Sequence, residues 1–600
     1  MLFDSRTKNR WISLAVSALL LVVYCTVAVV LGLRQRELMN ADAVNYIRRA
    51  QYLLNGQFYY FLSEHWSLML SGLIAPLMAL KIDGLYAARI VLGIVGAVYM
   101  VCFILLARRL LKVHWAWHCV AGVVLAPLVA AMAMRAITPD LLLAVWLVIY
   151  FLIVLHPKLL ESSGRQFLAG VVGGFAYLAK SFGLPFVLAH LLMTLILLIS
   201  RREEGAVAVR GERLKKLSFA YARGLLGFLL IAAPWIGALS WKYHHLTFGS
   251  AGAAAHGMLA PQDLPEASKQ GWLMRWNLEV PTGPYITITE NPEKLYPRWS
   301  PFASKAYFQH QCTIIRRHAL DLVHFLDLMA ALHVIPALVL VSLALVLFRS
   351  PQRWKIAWLL LTLILFLAPF LVVLINYRYL GPHIVPLVLL LCLIVVLEWR
   401  RGTESSESPT PEAAPLHWAR GVGALLICGS FAWGAYEWMK PMLSSRASDV
   451  YRILGHKINQ KGLIGPFACD DTTRAFAIAY HSGDKYAGFP DTANPQEAAN
   501  RLRQAGIEYV VIFDVSRGRG GRGSCAPMMV ERGGWRQVIR YRGASVYRDD
   551  PTAPPKTRPT TDETMPADDE SMEDMEGELD NQPPHSKATA KTKKQRRRGI

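Results

Sequence analysis

Apolar residues in this chain do not follow the short stripes of a soluble helix or the alternation of a surface strand. They come in long unbroken blocks. Residues 11–33, 90–107, 113–134, 141–157, 166–179, 181–200, 224–241, 328–348, 356–377, 379–397 and 421–436 contain no Asp, Glu, Lys or Arg. About 20 largely apolar residues cross the hydrocarbon of a bilayer as a helix. The pattern therefore predicts a polytopic α-helical membrane protein with about eleven spans. A further run, 66–80, is short for a span and fits a re-entrant or interfacial segment. The start is basic (Arg6, Lys8, Arg10), as in a signal peptide. Its apolar part is too long for one and has no small-x-small cleavage site near its end, so 1–33 reads as a signal anchor.

Between the blocks, the polar segments are uneven in size. Two are long: 34–89, and 242–327, which is rich in Pro, Trp and Tyr. Residues 402–415, "GTESSESPTPEAAP", read as a disordered linker. The spanning part is assigned to 1–440. Beyond it the pattern changes. "EYVVIFD" (508–514) predicts a buried strand, and "NPQEAANRLRQAG" (494–506) a helix from Pro495 to Gly506. "WRQVIRYRGASVYR" (535–548) predicts a hairpin. Residues 446–549 are thus expected to be a small α/β domain. Its "RGRGGRGS" (517–524) lacks the strand–loop–helix setting of a phosphate cradle and reads as a loop. The tail 550–600 is Pro-rich, then acidic, then basic, and is expected to be disordered.

Composition agrees with the pattern: 54% hydrophobic, 18% charged, mean hydropathy +0.30. A net charge of +21 invites a nucleic-acid partner. The distribution of that charge argues against one. Arg108/Arg109/Lys112, Lys158/Arg165, Arg201 through Lys216, Arg349/Arg353/Lys355 and Arg400/Arg401/Arg420 fall in alternate short loops. That is the positive-inside pattern. It predicts a multi-pass membrane protein with a cytoplasmic N-terminus and an extracytoplasmic α/β domain. The eight cysteines form no CxxC pair, so no metal site is expected. Cys469 and Cys525 share the α/β domain, as a disulfide or as two free thiols.

Ionisable residues at the membrane are expensive, about 2.5–3.5 kcal/mol on insertion scales. Four stretches carry them. In "NADAVNYIRRAQYLLNG", Asp42, Tyr46 and Ala50 share a helical face; Asn40 or Asp42 also fits an ordinary helix cap. In "AMRAITPDLLLAV", Arg135 ends one span and Asp140 starts the next, where an acid suits the helix dipole. Lys180 in "AYLAKSFGLPF" either snorkels or contacts a phosphate. Arg378 in "INYRYLGPHIVP" is expected in a loop between two runs. The alternation of spans puts all of these on the outer face. Such a set suits transfer from a lipid phosphate. A carboxylate deprotonates the acceptor hydroxyl, and the cations hold the departing phosphate. Arg48 and Arg49 read as ordinary interface anchors.

These pieces resemble the GT-C glycosyltransferases that use polyprenyl-phosphate sugars: protein O-mannosyltransferases, lipid A aminoarabinose transferases and bacterial family-39-like enzymes. The matching stretches are "DAVNYIRRAQYLLNG", "HWSLMLSGLIAPL" (65–77), "RAITPDLLLAV", "YLAKSFGLP", "APWIGALSWKY" (233–243) and "YRYLGPHIVP". They cover roughly residues 10–400, and their order is more specific than any one of them. The resemblance implies Asp42 as general base and Asp140 as a second acid near the cavity. It implies Lys180 and Arg378 on the donor phosphate, with Arg135 as a further cation there. Tyr46, His65 and Trp66 are expected to line the substrate site. The donor would be a polyprenyl-phosphate sugar and the acceptor a glycan, lipid or protein, with membrane lipids around and no cofactor. Ala43 follows Asp42 where the family often has a second acid, which argues against a metal-bridged pair. His65-Trp66-Ser67-Leu68 stands where the aminoarabinose transferases carry Lys-Pro-Pro. The alternative is a transporter or flippase for a lipid-linked sugar. That class shows internal repeats or paired broken helices, and the two halves of this chain show no repeat.

Overall fold

The computed structural model describes residues 5–554 except 112, 203–209, 262, 265–277, 293–295, 331–352, 399–412, 445–448 and 514–524. Nearly all of the predicted span 328–348, most of the linker, the arginine–glycine loop and nearly all of the tail lie outside the described residues.

The apolar blocks become helices. In chain order they are α1 (Ser5–Arg34), α2 (Ala41–Leu54), α3 (Phe58–Phe61), α4 (Leu68–Ala79), α5 (Gly84–Leu110), α6 (Trp115–Arg135) and α7 (Asp140–Val154). Next come α8 (Ser163–Ala179), α9 (Gly183–Arg202), α10 (Arg210–Tyr243), α11 (Ala251–Gly257) and α12 (Lys305–Ala330). Then follow α13 (Arg353–Val372), α14 (Tyr377–Glu398) and α15 (Ala413–Ser444). Among the described residues, seven helices are long and apolar enough to cross a membrane. α4 and α7 are apolar but shorter, and α4 packs against α2 and α5. Segment 242–327 is partly helical: α12, 26 residues long, starts in it at Lys305 and runs past its end to Ala330.

Close packing of α8 on α10 sets the position of the site. A Cβ on Gly170 would lie 1.7 Å from the Gly224 carbonyl oxygen, and one on Gly227 2.1 Å from that of Phe167. Only glycine lets these backbones meet, which is how helices associate tightly where water supplies no driving force. The packing fixes the end of α8, where Lys180 is the C-cap.

The C-terminal domain has a four-stranded sheet in the order β1-β2-β4-β3, with β1 Phe467–Cys469, β2 Tyr509–Phe513, β3 Trp535–Tyr541 and β4 Ala544–Asp549. β1 and β2 are parallel; β2/β4 and β3/β4 are antiparallel. The predicted strand and hairpin are present. The predicted helix is present as Pro495–Gln504, with the Asn494 side chain accepting from the Gln496 amide. Helices Val450–Gln460, Thr472–Ser482 and Ala526–Glu531 complete the domain. Cys469 and Cys525 are buried free thiols.

The sheet docks on one end of the helical bundle. Tyr486 N–H donates to the Ile286 carbonyl at 2.8 Å, and Glu279 N–H to that of Ala487 at 2.8 Å. Segment 242–327 thereby joins the domain. This end of the bundle, the sheet end, carries the charged residues singled out above.

Candidate active site

Four helix ends meet here. Asp42 lies in the first turn of α2 and Asp140 opens α7. Lys180 closes α8, and Arg378 lies in the first turn of α14. Carboxylates at helix N-termini and an ammonium at a C-terminus all suit the macrodipole. Arg378 does not, because a cation at a helix N-terminus faces the positive pole. Asp42 offsets this: its Oδ2 is 2.6 Å from Arg378 Nη1. The loop expected around Arg378 is already helix, since Asn376 Oδ1 accepts from the Arg378 amide at 3.1 Å.

The second pair is Lys180 Nζ with Asp140 Oδ1, at 2.5 Å. The two pairs differ in exposure. Asp42 and Arg378 are 23% and 30% exposed, whereas Asp140 is 5% exposed beneath Lys180 at 19%. Tyr379 joins them. Its ring lies 3.7 Å from Lys180 Nζ and 5.1 Å from the Arg378 guanidinium carbon, and its hydroxyl is 3.2 Å from Arg378 Nη2. Among the described residues, Arg378 Nε has no hydrogen-bond partner.

Two histidines face the same charges. His383 Nδ1 is 2.9 Å from the Tyr379 carbonyl. A carbonyl only accepts, so Nδ1 carries a proton; among the described residues Nε2 has no hydrogen-bond partner. His65 feels Asp42 and Lys180, and its Nδ1 likewise has no hydrogen-bond partner among the described residues. Burial pushes the His65 imidazole down to about 4; Asp42 pulls the other way, and Arg49 and Lys180 add to the fall. It is neutral at pH 7. Tyr46 is buried against Trp66, ring centroids 5.3 Å apart, and Trp66 stacks edge-on with His65 at 4.7 Å. Burial, with Asp42 and Asp140 adding to it, lifts the Tyr46 phenol well above its usual range, so it stays protonated.

Of the residues expected here, Asp42, Asp140, Lys180, Arg378, Tyr46, His65 and Trp66 fall in one neighbourhood. Arg135 stacks over the Trp438 indole at 5.1 Å. Of the two expected caps, Asn40 holds the N-cap position of α2, but its side chain makes no cap bond: Asn40 Oδ1 accepts from the Ile137 amide at 2.9 Å. That bond ties the start of α2 to "ITPD", so Asp42 and Asp140 are positioned together.

Arg48 and Arg49 are not interface anchors. Arg49 is buried and donates to the carbonyls of Tyr60 (2.7 Å), Phe61 (3.0 Å) and Glu290 (2.6 Å). Arg48 donates to the Pro284 carbonyl at 2.7 Å and stands 3.8 Å from Glu290. Glu290 accepts from the Ile286 and Thr287 amides and from the Tyr52 hydroxyl at 2.6 Å. Burial raises its pKa despite these donors and Arg48. The two arginines therefore staple segment 279–290, and with it the sheet domain, onto the helix that carries Asp42. Tyr379 and His383, inside a stretch already singled out, were within reach of sequence reasoning. Glu290 ends the 3₁₀ turn Ile288–Glu290 and forms a capping box with Thr287, so the Thr-x-x-Glu spacing was the one local signal that pointed to it.

No protein-family model matches the chain, and no curated protein matches it significantly. Solved structures do. ArnT from Cupriavidus metallidurans bound to undecaprenyl phosphate is similar with a TM-score of 0.51 at 15% identity, over 90% of this chain and 99% of that one. The Archaeoglobus fulgidus oligosaccharyltransferase in its apo form is similar with a TM-score of 0.50 at 12% identity, over 90% and 75%. The chain has the fold of these membrane proteins, the GT-C fold.

Proposed function

We propose that this GT-C chain is a membrane glycosyltransferase that moves one sugar from a polyprenyl-phosphate donor to an acceptor hydroxyl. The sheet end is the extracytoplasmic face of a bacterial inner membrane, with the N-terminus in the cytoplasm. The observation that carries the reading is the pairing of two acids with two cations around one tyrosine ring. The likeness to ArnT, solved with undecaprenyl phosphate, supports it.

The residues divide the work by exposure. Asp42, at the mouth, takes the proton of the acceptor hydroxyl. The freed oxygen attacks the anomeric carbon from the side opposite the phosphate. The bond from that carbon to the phosphate oxygen breaks, its electrons leave with the phosphate, and the configuration inverts. Lys180 and Arg378 hold that phosphate, and charge-assisted hydrogen bonds are the strong ones. Both cations already have carboxylate partners, so the phosphate shares them. Asp140 is a positioning residue, because it lies beneath Lys180 and fixes the ammonium over Tyr379. The acceptor is a glycan, a lipid or a protein.

The test uses the purified chain in vesicles loaded with fluorescent polyprenyl-phosphate sugars and a cell-envelope extract as acceptor. Asp42→Asn should abolish transfer while undecaprenyl phosphate still binds, at least as tightly, because Arg378 loses its competing carboxylate. Full transfer by that variant would sink the assignment. Translocation of the lipid without transfer by the wild type would make the chain a flippase.

A further inference from the structure

The four charges at the sheet end cancel. Asp42 and Asp140 bring two negative charges, and Lys180 and Arg378 two positive ones. A polyprenyl-phosphate sugar is a phosphodiester with a single negative charge. When the bond from its anomeric carbon breaks, the phosphate leaves as a monoester, which carries about −1.5 to −2 at pH 7. Donor binding therefore makes the site net negative, and transfer makes it more so. What the site lacks is a group that can gain a positive charge. Histidine is the side chain that does so near neutral pH.

Of the two histidines here, His383 is the better placed. It stands one turn on from Tyr379 along α14, so the two share a helix face. Its ring stacks on Phe366 of α13, with centroids 4.6 Å apart and 26° between the planes. Phe366 packs on Phe370 at 5.4 Å, and Phe370 on the Tyr379 ring at 5.6 Å. His383 and the ring that carries Lys180 thus belong to one wall. The 2.9 Å bond from Nδ1 to the Tyr379 carbonyl fixes which way the imidazole faces. His383 is 6% exposed, and its Nε2 is buried with no hydrogen-bond partner among the described residues. The charged groups it faces are Asp140 of α7 and Lys180 at the end of α8. Asp140 Oδ2 is also buried without a hydrogen-bond partner among the described residues. The other neighbours are uncharged: Phe366 from α13, and from α5 the Tyr99 hydroxyl, which donates to the Pro382 carbonyl at 2.7 Å. Leaving a buried nitrogen open is costly, and here it is oriented for a partner that arrives from outside. His65 also has an open Nδ1, but it faces two cations, Arg49 and Lys180, against one acid.

We propose that His383 is a catalytic residue of the transfer reaction proposed above, on which this role depends: it takes up a proton at Nε2 when the phosphate is bound and donates that hydrogen to a phosphate oxygen as the carbon–oxygen bond breaks. The Nδ1 hydrogen stays on the Tyr379 carbonyl, so the ring is then an imidazolium. A phosphate beside it favours that charged form, and the charge offsets the one that the phosphate gains. The proton comes from water at the mouth, where Asp42 and Arg378 are 23% and 30% exposed. The proton that Asp42 takes from the acceptor returns to water there. When the monoester leaves, His383 gives its proton back, so the residue is unchanged over a turnover.

The test is titration calorimetry of the full-length chain in nanodiscs with farnesyl phosphate, a short polyprenyl phosphate, in buffers of different ionisation enthalpy at one pH. At about pH 8 the free monoester is already a dianion, because its second pKa is about 6, so it brings no proton of its own. The wild type should take up about one proton per phosphate bound. His383→Asn, whose amide can still donate to the Tyr379 carbonyl, should take up none. It should bind on the order of 10-fold more weakly, the scale of one hydrogen bond to a charged group, and transfer sugar on the order of 10²-fold more slowly. His383→Gln carries the same reading if His383→Asn does not fold. A wild type that binds the phosphate without proton uptake overturns the role. So does uptake that persists in the variant, which puts the proton on another group, or full transfer by the variant. A wild type that binds neither farnesyl nor undecaprenyl phosphate contradicts the transfer reaction itself.

Discussion

Two acid–cation pairs stand at the sheet end of the bundle, about equally tight and unequally wet. Asp42–Arg378 is 2.6 Å long with both partners a quarter or so exposed; Asp140–Lys180 is 2.5 Å long with the acid at 5%. Distance alone would give the pairs the same role, and burial separates them. An accessible carboxylate can meet a substrate hydroxyl and exchange its proton with water. A buried carboxylate beneath an ammonium cannot leave it without stranding a charge. Asp42 suits chemistry; Asp140 suits architecture, holding Lys180 in place for the phosphate.

Substitution of the acids breaks the comparison most sharply. Asp42→Asn should lower the transfer rate by about 10²–10⁴, the usual worth of a positioned base, with the melting temperature nearly unchanged. Asp140→Asn should do the reverse in kind. It leaves Lys180 without its buried partner, at about 3–5 kcal/mol, seen as a lower melting temperature in the detergent-solubilised protein. If Asp140→Asn keeps full stability and loses only turnover, the roles are exchanged.

Lys180→Gln sharpens the comparison from the cation side. Loss of a charge-assisted bond worth about 1.5–3 kcal/mol weakens undecaprenyl phosphate on the order of 10–100-fold. Titration calorimetry checks this; unchanged affinity would place the phosphate elsewhere.

Much of this arrangement was legible in the sequence, for a simple reason. Spans alternate in direction, so the ends of runs that carry Asp42, Asp140, Lys180 and Arg378 come to one side whatever their packing. The strand 509–513 and the hairpin 535–549 were legible from local periodicity. Contacts fixed only by tertiary packing were not. Asn40 looked like a cap because its type favours caps, and the Ile137 amide claimed it instead. Arg49 looked like an interface anchor because an arginine beside a membrane usually snorkels to its surface. Its carbonyl partners lie in Tyr60–Phe61, beyond the end of α2, and at Glu290, far away in sequence. Arg135 met Trp438, from a helix some 300 residues on, and no local pattern announces that.

The smallest expected effect concerns the staple rather than the pairs. Burial raises the Glu290 pKa in the folded chain above its unfolded value. The group then favours the folded state while protonated. Its contribution is full below the unfolded pKa and is lost as pH rises through the folded one. Stability should therefore fall slightly as pH climbs through that window, and Glu290→Gln should flatten this part of a melting-temperature–pH profile. An unchanged profile would show that Glu290 titrates alike in both states.

The central claim is that Lys180 and Arg378 hold the leaving phosphate beside Asp42. It is tested most directly by a structure of the chain in nanodiscs with undecaprenyl phosphate. The account predicts phosphate oxygens about 2.7–2.9 Å from Lys180 Nζ and an Arg378 nitrogen, with Asp42 on the open side of the phosphate. A phosphate seated away from both cations, at the other end of the bundle or on the sheet domain, would contradict it.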